Sequence, residues 1–241
     1  MKRIICKNLD EISRLGAYVY AEQVWRKPNS VLGFATGGTP VGMYKCLVDM
    51  YKGDMVDFSG ITTFNLDEYY PMSKSHEQSY DYFMWDNLFS HINVKRENVN
   101  LPNGGASDPQ RACDEYENKI KLSGGLDMQL LGIGNNGHIA FNEPGDTLHV
   151  RTYITDLTEN TIEANARFFE SRDDVPRKAL TMGMGSIMQA RRILMLISGK
   201  SKAPVVKQMF SGVVTPQIPA SLLQLHNDVV VLLDEAAASE L

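Results

Sequence analysis

The chain has 241 residues, of which 43% are hydrophobic and 22% are charged. This composition is that of an ordinary globular protein and excludes a disordered or fibrous chain. Because domains hold roughly 100–200 residues each, the length predicts one domain over residues 1–241. With 24 basic and 29 acidic residues the net charge is −5. No overall positive field therefore draws the protein to nucleic acid or to an anionic membrane.

The chain begins MKRIICKNLDEISRLG, which lacks the apolar core of a signal peptide, and no later run is long enough to span a membrane. Its cysteines, Cys6, Cys46 and Cys113, are odd in number and lack CxxC spacing. This pattern argues against a disulfide framework or a zinc ribbon. We therefore expect a cytoplasmic protein without a membrane partner.

Short apolar runs alternate with longer amphipathic stretches, a pattern typical of α/β units around a largely parallel sheet. The expected strands are Arg3–Cys6, Val31–Ala35, Ile61–Asn65, Met128–Gly132, Ile193–Ser198 and Val229–Leu233. The expected helices lie near Asp10–Arg26, Pro40–Lys52, Glu77–Ser90, Pro109–Leu122, Glu159–Phe169, Lys202–Gly212 and Ala220–Leu225. The polar segment from Thr152 to Asp174 has few apolar anchors, which predicts a mobile flap.

A glycine turn, FATGGTP at 34–40, follows the second expected strand. Gly37 and Gly38 permit a tight turn with exposed N–H groups. Thr39 is placed to cap the next helix, and Pro40 suits its first position. With Thr36 nearby, such a helix start offers donors and a positive dipole to one anion, a phosphate. The alternative is a turn that uses glycine for geometry alone, and a Walker loop is excluded because GxxxxGK[ST] is absent.

The next strand ends in FNLDEY at 64–69, where two acids and a tyrosine stand at a position typical of sites in parallel sheets. Asp67 is a candidate general base, because partial desolvation raises the pKa of a carboxyl group towards neutrality. The alternative is an acid that serves only a turn or a helix start.

A second glycine cluster, GIGNNG at 132–137, matches the dinucleotide motif GxGxxG. A dinucleotide site needs a helix that begins within the motif, and Pro144 with Gly145 leaves no room for one, so we do not expect NAD binding. His138 and Glu143 follow the cluster closely enough for the carboxylate to orient the imidazole. The alternative is a hydrogen-bonded structural histidine.

Several basic residues are candidates to close on a phosphate: Arg167, Arg172, Arg177, Lys178, Lys200 and Lys202. Lys202 stands out because the strand-to-helix turn SGKSKAP at 198–204 lets a lysine reach the first glycine loop. No metal site is expected, because HExxH is absent and the other histidines have no ligand spacing with one another, with His138 or with the cysteines. These histidines are His76, His91, His149 and His226.

Six segments together resemble the glucosamine-6-phosphate deaminase family: FATGGTP (34–40), FNLDEY (64–69), LGIGNNGHIAFNEP (131–144), ANARFF (164–169), SGKSKA (198–203) and PASLLQLH (219–226). They run in order over nearly the whole chain, and the pair FNLDEY and GHIAFNEP is specific. The resemblance implies a Rossmann-like α/β fold with a lid segment at about 152–182. It also implies hydrolytic conversion of glucosamine 6-phosphate to fructose 6-phosphate and ammonium, without a metal or organic cofactor.

The same resemblance implies a role for each matching residue. Asp67 is the base that moves a proton between C2 and C1. His138 opens the pyranose ring, and Glu143 orients and tunes His138. The phosphate is held by Lys202, Arg167 and the loop of Thr36, Gly37, Gly38 and Thr39.

Asn136 departs from the family pattern, because many relatives have Asp at this place, two residues before the histidine. An amide still orients His138 but brings no negative charge, so we expect a different pH optimum. Allosterically activated hexameric relatives use basic and hydroxyl residues in the region of Asp146, Tyr153 and Thr155, and a tyrosine in a longer tail. We therefore expect hyperbolic kinetics without activation by N-acetylglucosamine 6-phosphate.

Two other functions fit parts of the pattern. A 6-phosphogluconolactonase has a similar fold, glycine loop and GxGxxGH segment, but FNLDEY and FNEP fit it less well. A sugar-phosphate sensor domain of a transcriptional regulator is the non-enzymatic alternative, and it predicts a helix-turn-helix that residues 1–30 do not supply. The sequence leaves open whether the protein is a monomer or a homo-oligomer.

Overall fold

Ten strands and seven α-helices make up the computed structural model, which describes residues 1–166 and 169–241 except the side chains of Asn160 and Ala164. The strands are β1 (Lys2–Cys6), β2 (Val31–Phe34), β3 (Thr62–Asn65), β4 (Asp67–Tyr70), β5 (Val99–Asn100), β6 (Met128–Leu131), β7 (Tyr153–Asp156), β8 (Lys178–Thr181), β9 (Arg192–Ile197) and β10 (Val229–Asp234). The helices are α1 (Leu9–Arg26), α2 (Gly38–Lys52), α3 (Tyr80–Asn87), α4 (Pro109–Leu122), α5 (Glu159–Ala166), α6 (Met184–Met188) and α7 (Ala203–Met209). Among the described residues, no helix is long and apolar enough to cross a membrane.

Seven strands form one parallel sheet in the order β1-β10-β9-β6-β2-β3-β5. From β2 the chain first adds β3 and β5 on one side, and then β6, β9 and β10 on the other. The connections that leave β2 and β6 therefore diverge, and such a switch point opens a crevice at the carboxyl ends of the strands. The loops after β2 and β6 border this crevice.

The strands beside the switch point are covered by helices on both faces. Every residue of β2 and β6 is buried, as is typical of parallel strands in this class of fold. On one face Phe34 packs its ring against Tyr20 of α1 and Tyr44 of α2. On the other face Tyr116 of α4 packs against Phe64 of β3. The predicted α/β fold with a largely parallel sheet is confirmed.

All six predicted strands are present, with each end within one residue of the prediction. The prediction for α4 is confirmed over Pro109–Leu122, whereas the predicted helices near 77–90 and 202–212 are shorter than expected. The segment 219–225 is a 3-10 helix. The prediction of a helix up to Phe169 extends onto 167–168, which lie outside the described residues.

Four strands were not predicted, and three of them form a small antiparallel sheet in the order β4-β8-β7. Only Leu66 separates β4 from β3, so this sheet starts at the edge of the crevice. Its strands and α5 enclose a second, smaller apolar cluster of Tyr69, Met72, Phe141, Leu157, Ile162, Val175 and Ala179. The lid segment (152–182) thus contains β7, α5 and β8, and its mobility stays a prediction.

The start of the lid segment, Thr152, and a residue shortly after its end, Ser186, meet at one half-buried carboxylate. Oε1 of Glu117, on α4, accepts hydrogen bonds from the N–H and the hydroxyl of Thr152, both at 2.6 Å, and from the hydroxyl of Ser186 at 2.7 Å. The N–H of Ser186 also donates to the Val150 carbonyl at 2.8 Å. At Gly185 a Cβ atom would approach that same carbonyl to 2.8 Å, so the close contact favours glycine. Glu117 therefore fastens the chain on both sides of the lid segment to α4.

Candidate active site

A cleft of about 1140 Å³ occupies the crevice at the carboxyl ends of the central strands. The loops after β2, β6 and β9 and the first residue of β4 contribute to its wall. Eight of the ten predicted site residues line it: Thr36, Gly37, Gly38, Thr39, Asp67, Asn136, His138 and Lys202. Glu143 contacts His138 behind the wall, and Arg167 lies outside the described residues.

The glycine turn after β2 leads into α2 differently from the prediction. The helix begins at Gly38, so Pro40 is not its first residue, and no side chain caps it, so the predicted cap by Thr39 is wrong. Gly37 takes the cap position with φ of 109°, a conformation that favours glycine. The N–H groups of the first turn therefore have no side-chain partner at the end of the helix that attracts anions.

Lys202 reaches the loop after β6 from the 3-10 turn Lys200–Lys202 that follows β9. Its Nζ donates to the carbonyl of Ile133 at 2.7 Å. The side chain is half-buried, and this burial lowers its pKa. Lys202 lines the cleft, and no salt bridge joins it to a carboxylate within the described ranges.

The turn that carries Lys202 is held by a residue that sequence reasoning missed. Asp234, at the end of β10, accepts from the hydroxyl of Ser198 at 2.6 Å and from the N–H of Gly199 at 3.0 Å. Its other oxygen accepts from the N–H of Ala237 at 2.7 Å. A buried acid at the end of a parallel strand was the signal that could have identified it.

His138 packs against Gly134, whose N–H donates to the His138 carbonyl at 3.0 Å. A Cβ atom at Gly134 would overlap the imidazole, so this glycine of the GxGxxG pattern makes room for the ring. No helix begins between 132 and 137, as the sequence predicted from Pro144 and Gly145. The chain then turns through Ala140 at φ of 53°, and the buried side chain of Asn142 donates to the Met182 carbonyl at 2.8 Å. The loop is thereby tied to the end of β8.

Glu143 connects the candidate site residues behind the cleft. Its Oε1 lies 3.3 Å from Nδ1 of His138, without the alignment of a hydrogen bond, and accepts from the Thr161 hydroxyl at 2.8 Å. Its Oε2 accepts from the amide of Asn136 at 2.7 Å. Burial opposes ionisation of Glu143, but His138, Asn136 and Thr161 outweigh it and lower the pKa to about 2. The group is a carboxylate at neutral pH.

The two acids of FNLDEY open strand β4 and do not form a turn. Burial, and the charge of Glu68 next to it, raise the pKa of Asp67 to about 8. Burial also raises the pKa of Glu68 to about 7, although its carboxylate accepts three backbone N–H bonds, from Tyr69, Tyr80 and Asp81. Glu68 thus fastens the start of α3, whereas Asp67 faces the cleft.

One side of the cleft is aromatic, which sequence reasoning did not predict. Tyr80 of α3 stacks on Phe141 with ring centroids 6.3 Å apart and an angle of 9°. Tyr69 packs against both rings and against Phe169. These residues come from four separate segments of the chain, so no local pattern links them. Such a wall shields Asp67 from water on that side.

In the described part of the chain, no three His, Cys, Asp or Glu side chains are arranged to hold a metal ion. What the site offers is a buried carboxyl group, an imidazole with a carboxylate behind it, a lysine, and a glycine turn with free N–H groups. These are the components of acid–base chemistry on a small anionic molecule.

Comparisons with known proteins agree with this geometry. Residues 17–232 match the model of the family described as glucosamine-6-phosphate isomerases/6-phosphogluconolactonase. A glucosamine-6-phosphate deaminase of Clostridioides difficile is 54% identical over 100% of this chain and 97% of its own. One from Clostridium perfringens is 55% identical over 99% and 98%.

Solved structures give the same result. A monomeric glucosamine-6-phosphate deaminase superposes with a TM-score of 0.97 at 46% identity, over 100% of both chains. A 6-phosphogluconolactonase from Trypanosoma cruzi superposes at 0.82 and 19% identity, over 100% of this chain and 96% of its own, which shows a shared fold alone. The chain therefore belongs to the glucosamine-6-phosphate isomerase/6-phosphogluconolactonase family and, within it, to the glucosamine-6-phosphate deaminases.

Proposed function

We propose that this protein converts glucosamine 6-phosphate and water to fructose 6-phosphate and ammonium. The observation that carries the proposal is that Asp67, His138 and Lys202 face one cleft beside an uncapped helix start. An aldose amine becomes a ketose only from its open chain, with a base at C2 and a group that moves protons on oxygen. The cleft supplies both groups, together with a place for a remote phosphate.

Ring opening is assigned to His138. A neutral imidazole takes the proton from the anomeric hydroxyl and then gives one to the ring oxygen, so that the ring C–O bond breaks and a C1 aldehyde forms. Glu143 lies 3.3 Å from Nδ1 of His138 and stabilises the positive charge that the imidazole carries between the two proton transfers. Asn136 contributes by holding the other oxygen of Glu143.

Isomerisation is assigned to Asp67. Its carboxylate takes the proton from C2 while the C1 oxygen gains one, which gives an enolamine. Asp67 then returns its proton to C1 while the nitrogen lone pair forms the C2–N double bond, which leaves a C2 iminium ion. Water adds to C2, and ammonium leaves as the ketone forms. Burial of Asp67 makes the carboxylate a stronger base than one in water.

Phosphate binding is assigned to Thr36–Thr39, Lys202 and Arg167. The helix start at Gly38 and the half-buried ammonium group of Lys202 support this assignment. Binding the remote phosphate positions C1 and C2 against Asp67 and His138, which can contribute several kcal/mol, up to about 7–11 kcal/mol in well-oriented systems.

We also propose that residues 152–182 act as a lid on one domain of residues 1–241, because Thr161, Asn165 and Phe169 from this segment line the cleft. A cytoplasmic location is proposed on the strength of three free cysteines. The proposed partner is the sugar phosphate.

The test is an assay of purified protein with glucosamine 6-phosphate, in which ammonium and fructose 6-phosphate are both measured. We expect the two products in a 1:1 ratio. 6-Phosphogluconolactone is assayed in parallel, because the matched family also contains lactonases. Lactone hydrolysis without ammonium release would assign the protein to the lactonases and reject the proposal.

A further inference from the structure

The carboxylate of Glu143 receives one hydrogen bond from the lid segment. Thr161 of α5 donates its hydroxyl to Oε1 at 2.8 Å, and this is the oxygen that lies 3.3 Å from Nδ1 of His138. Oε2 is occupied by the amide of Asn136. Thr161 is only 8% exposed, so its hydroxyl is shielded from bulk water. Glu143 is therefore held by donors from two parts of the chain that are distant in sequence.

A second threonine fixes the direction of this hydrogen bond. The hydroxyl of Thr158 donates to the Thr161 oxygen at 3.0 Å and also accepts from the Thr161 N–H at 3.3 Å. Because the Thr161 oxygen accepts from Thr158, its own proton is directed at Glu143. Both threonines stand at the start of α5. A shift of that helix would therefore act on Glu143 through one hydroxyl group, that of Thr161.

In this arrangement the imidazole of His138 lacks an aligned hydrogen bond among the described residues. Within the described part of the chain, the buried Nδ1 of His138 has no aligned hydrogen-bond partner, although a carboxylate oxygen is 3.3 Å away. The same oxygen makes a shorter bond with Thr161. Both donors lie near Oε1, but only the Thr161 hydroxyl is aligned with it, so Thr161 decides how the carboxylate is turned.

We propose that the Thr161 hydroxyl is a positioning group that sets the orientation of the Glu143 carboxylate against the His138 imidazole. The position of α5 in the lid segment then influences the proton transfers of His138. This inference rests on the proposed function for its catalytic consequence, but its structural part concerns three side chains alone.

Other titratable groups surround this cluster. Burial raises the pKa of Tyr153 on β7, and the nearby charge of Glu143 adds to the effect. Asp67 at the start of β4 and Lys202 after β9 line the same cleft as His138. Among the described residues, none of these three bonds to Oε1 of Glu143. Removal of the Thr161 hydroxyl therefore acts on His138 through Glu143 first.

The test compares T161V and T161A, which lack the hydroxyl, with T161S, which keeps it, and with T147V at an exposed threonine. The ring protons of His138 are titrated by NMR in ligand-free protein. In the hydroxyl-free variants Thr161 no longer holds the carboxylate, which turns towards the imidazole, so the midpoint of the titration rises by about half a pH unit or more. The acid limb of the profile of kcat/KM against pH moves in the same direction. T161S and T147V keep the wild-type midpoint.

An unchanged midpoint in T161V and T161A that are folded by circular dichroism overturns the proposal. A midpoint in T161S that matches T161V also overturns it, because the effect then belongs to packing and not to the hydroxyl. Two hydroxyl-free variants of different size keep the test decisive if one of them does not fold. The NMR titration needs no substrate, so failure of the proposed function, seen as wild-type protein that releases no ammonium, is distinguished from failure of this inference.

Discussion

Gly134 lies directly against the imidazole of His138, where any Cβ atom would overlap the ring. Its N–H also donates to the His138 carbonyl at 3.0 Å, so backbone and side chain of the histidine are fixed by one residue. Gly132, two residues earlier in the same glycine cluster, has no atom within 4 Å of the place that a Cβ would take. The glycines of this cluster are therefore not equivalent.

The variant G134A should lower kcat by about 100-fold, because a catalytic group displaced by about 1 Å can cost that much. Overpacking should also destabilise the protein by about 1–3 kcal/mol. G132A is the matched control and should change kcat much less. Steady-state kinetics and urea unfolding of both variants are the measurements, and wild-type turnover in G134A would contradict the assignment of the ring-opening role to His138.

Asp67 should be indispensable for turnover. D67N keeps the shape of the side chain but removes the base, so we expect kcat to fall by several orders of magnitude while binding of a sugar phosphate changes little. Because burial raises the pKa of Asp67 to about 8, kcat/KM of the wild type should rise with pH up to about that value. Kinetics from pH 5 to 9 and calorimetric binding test both statements, and unaltered turnover in D67N rejects Asp67 as the base.

The same carboxyl group should make the stability depend on pH. An unfolded aspartate has a pKa of about 4, whereas in the folded protein it is raised to about 8. The folded state thus holds the proton more tightly, so this stabilising contribution is full below about pH 4 and is lost as the pH rises towards 8. D67N carries no such proton. The difference in Tm between D67N and wild type should therefore shift in favour of D67N by several degrees between pH 5 and pH 8, since 1 kcal/mol corresponds to about 2–4 °C. A difference that stays constant with pH would refute this.

Much of this site could be predicted from sequence because its parts follow strands. The loops that hold Thr36, His138 and Lys202 come directly after apolar runs, and carboxyl ends of parallel strands share one edge. The aromatic wall and the Thr161–Glu143 bond could not be predicted, since their members are brought together only by the antiparallel sheet β4-β8-β7.

That small sheet itself lacked a usable sequence signal. Its strands have four residues each, and β7 reads YITD with no residue fully buried, so the apolar alternation of a strand is weak. The cap of α2 was predicted wrongly for a related reason. Thr39 fits the residue preference for a cap, but the positive φ of Gly37 starts the helix one residue before it.

Asn136 should set the pH range of the reaction. In N136D the 2.7 Å bond to Oε2 of Glu143 is lost and a second negative charge is placed beside the first. That charge stabilises the protonated form of His138 and raises the pKa of Glu143, so the pH profile of kcat should move to higher pH by up to about one unit. Profiles of N136D and wild type, measured at constant ionic strength, test this. A profile shifted to lower pH would show that the amide acts in another way.

Lys202 should act mainly in binding. K202A removes a half-buried ammonium group from the cleft, and we expect KM to rise by about 10–100-fold with a smaller change in kcat, because a charged hydrogen bond contributes about 1.5–3 kcal/mol. K200A is the matched control, since Lys200 is an exposed lysine of the same turn. Inhibition by inorganic phosphate should weaken in K202A only. A loss confined to kcat would contradict a role in holding phosphate.

Glu117 should stabilise the lid segment without taking part in the chemistry. Its Oε1 accepts three hydrogen bonds from Thr152 and Ser186, so E117A leaves buried donors without a partner. We expect a loss of about 2–4 kcal/mol in the free energy of unfolding, and faster proteolysis within 152–182 than in the rest of the chain, since the chain on both sides of the segment is no longer fastened. E115A, at an exposed glutamate of the same helix, should change stability by no more than about 0.5 kcal/mol. Urea unfolding and limited proteolysis measure the two effects, and equal losses in E117A and E115A would mean that Glu117 does not fasten the segment.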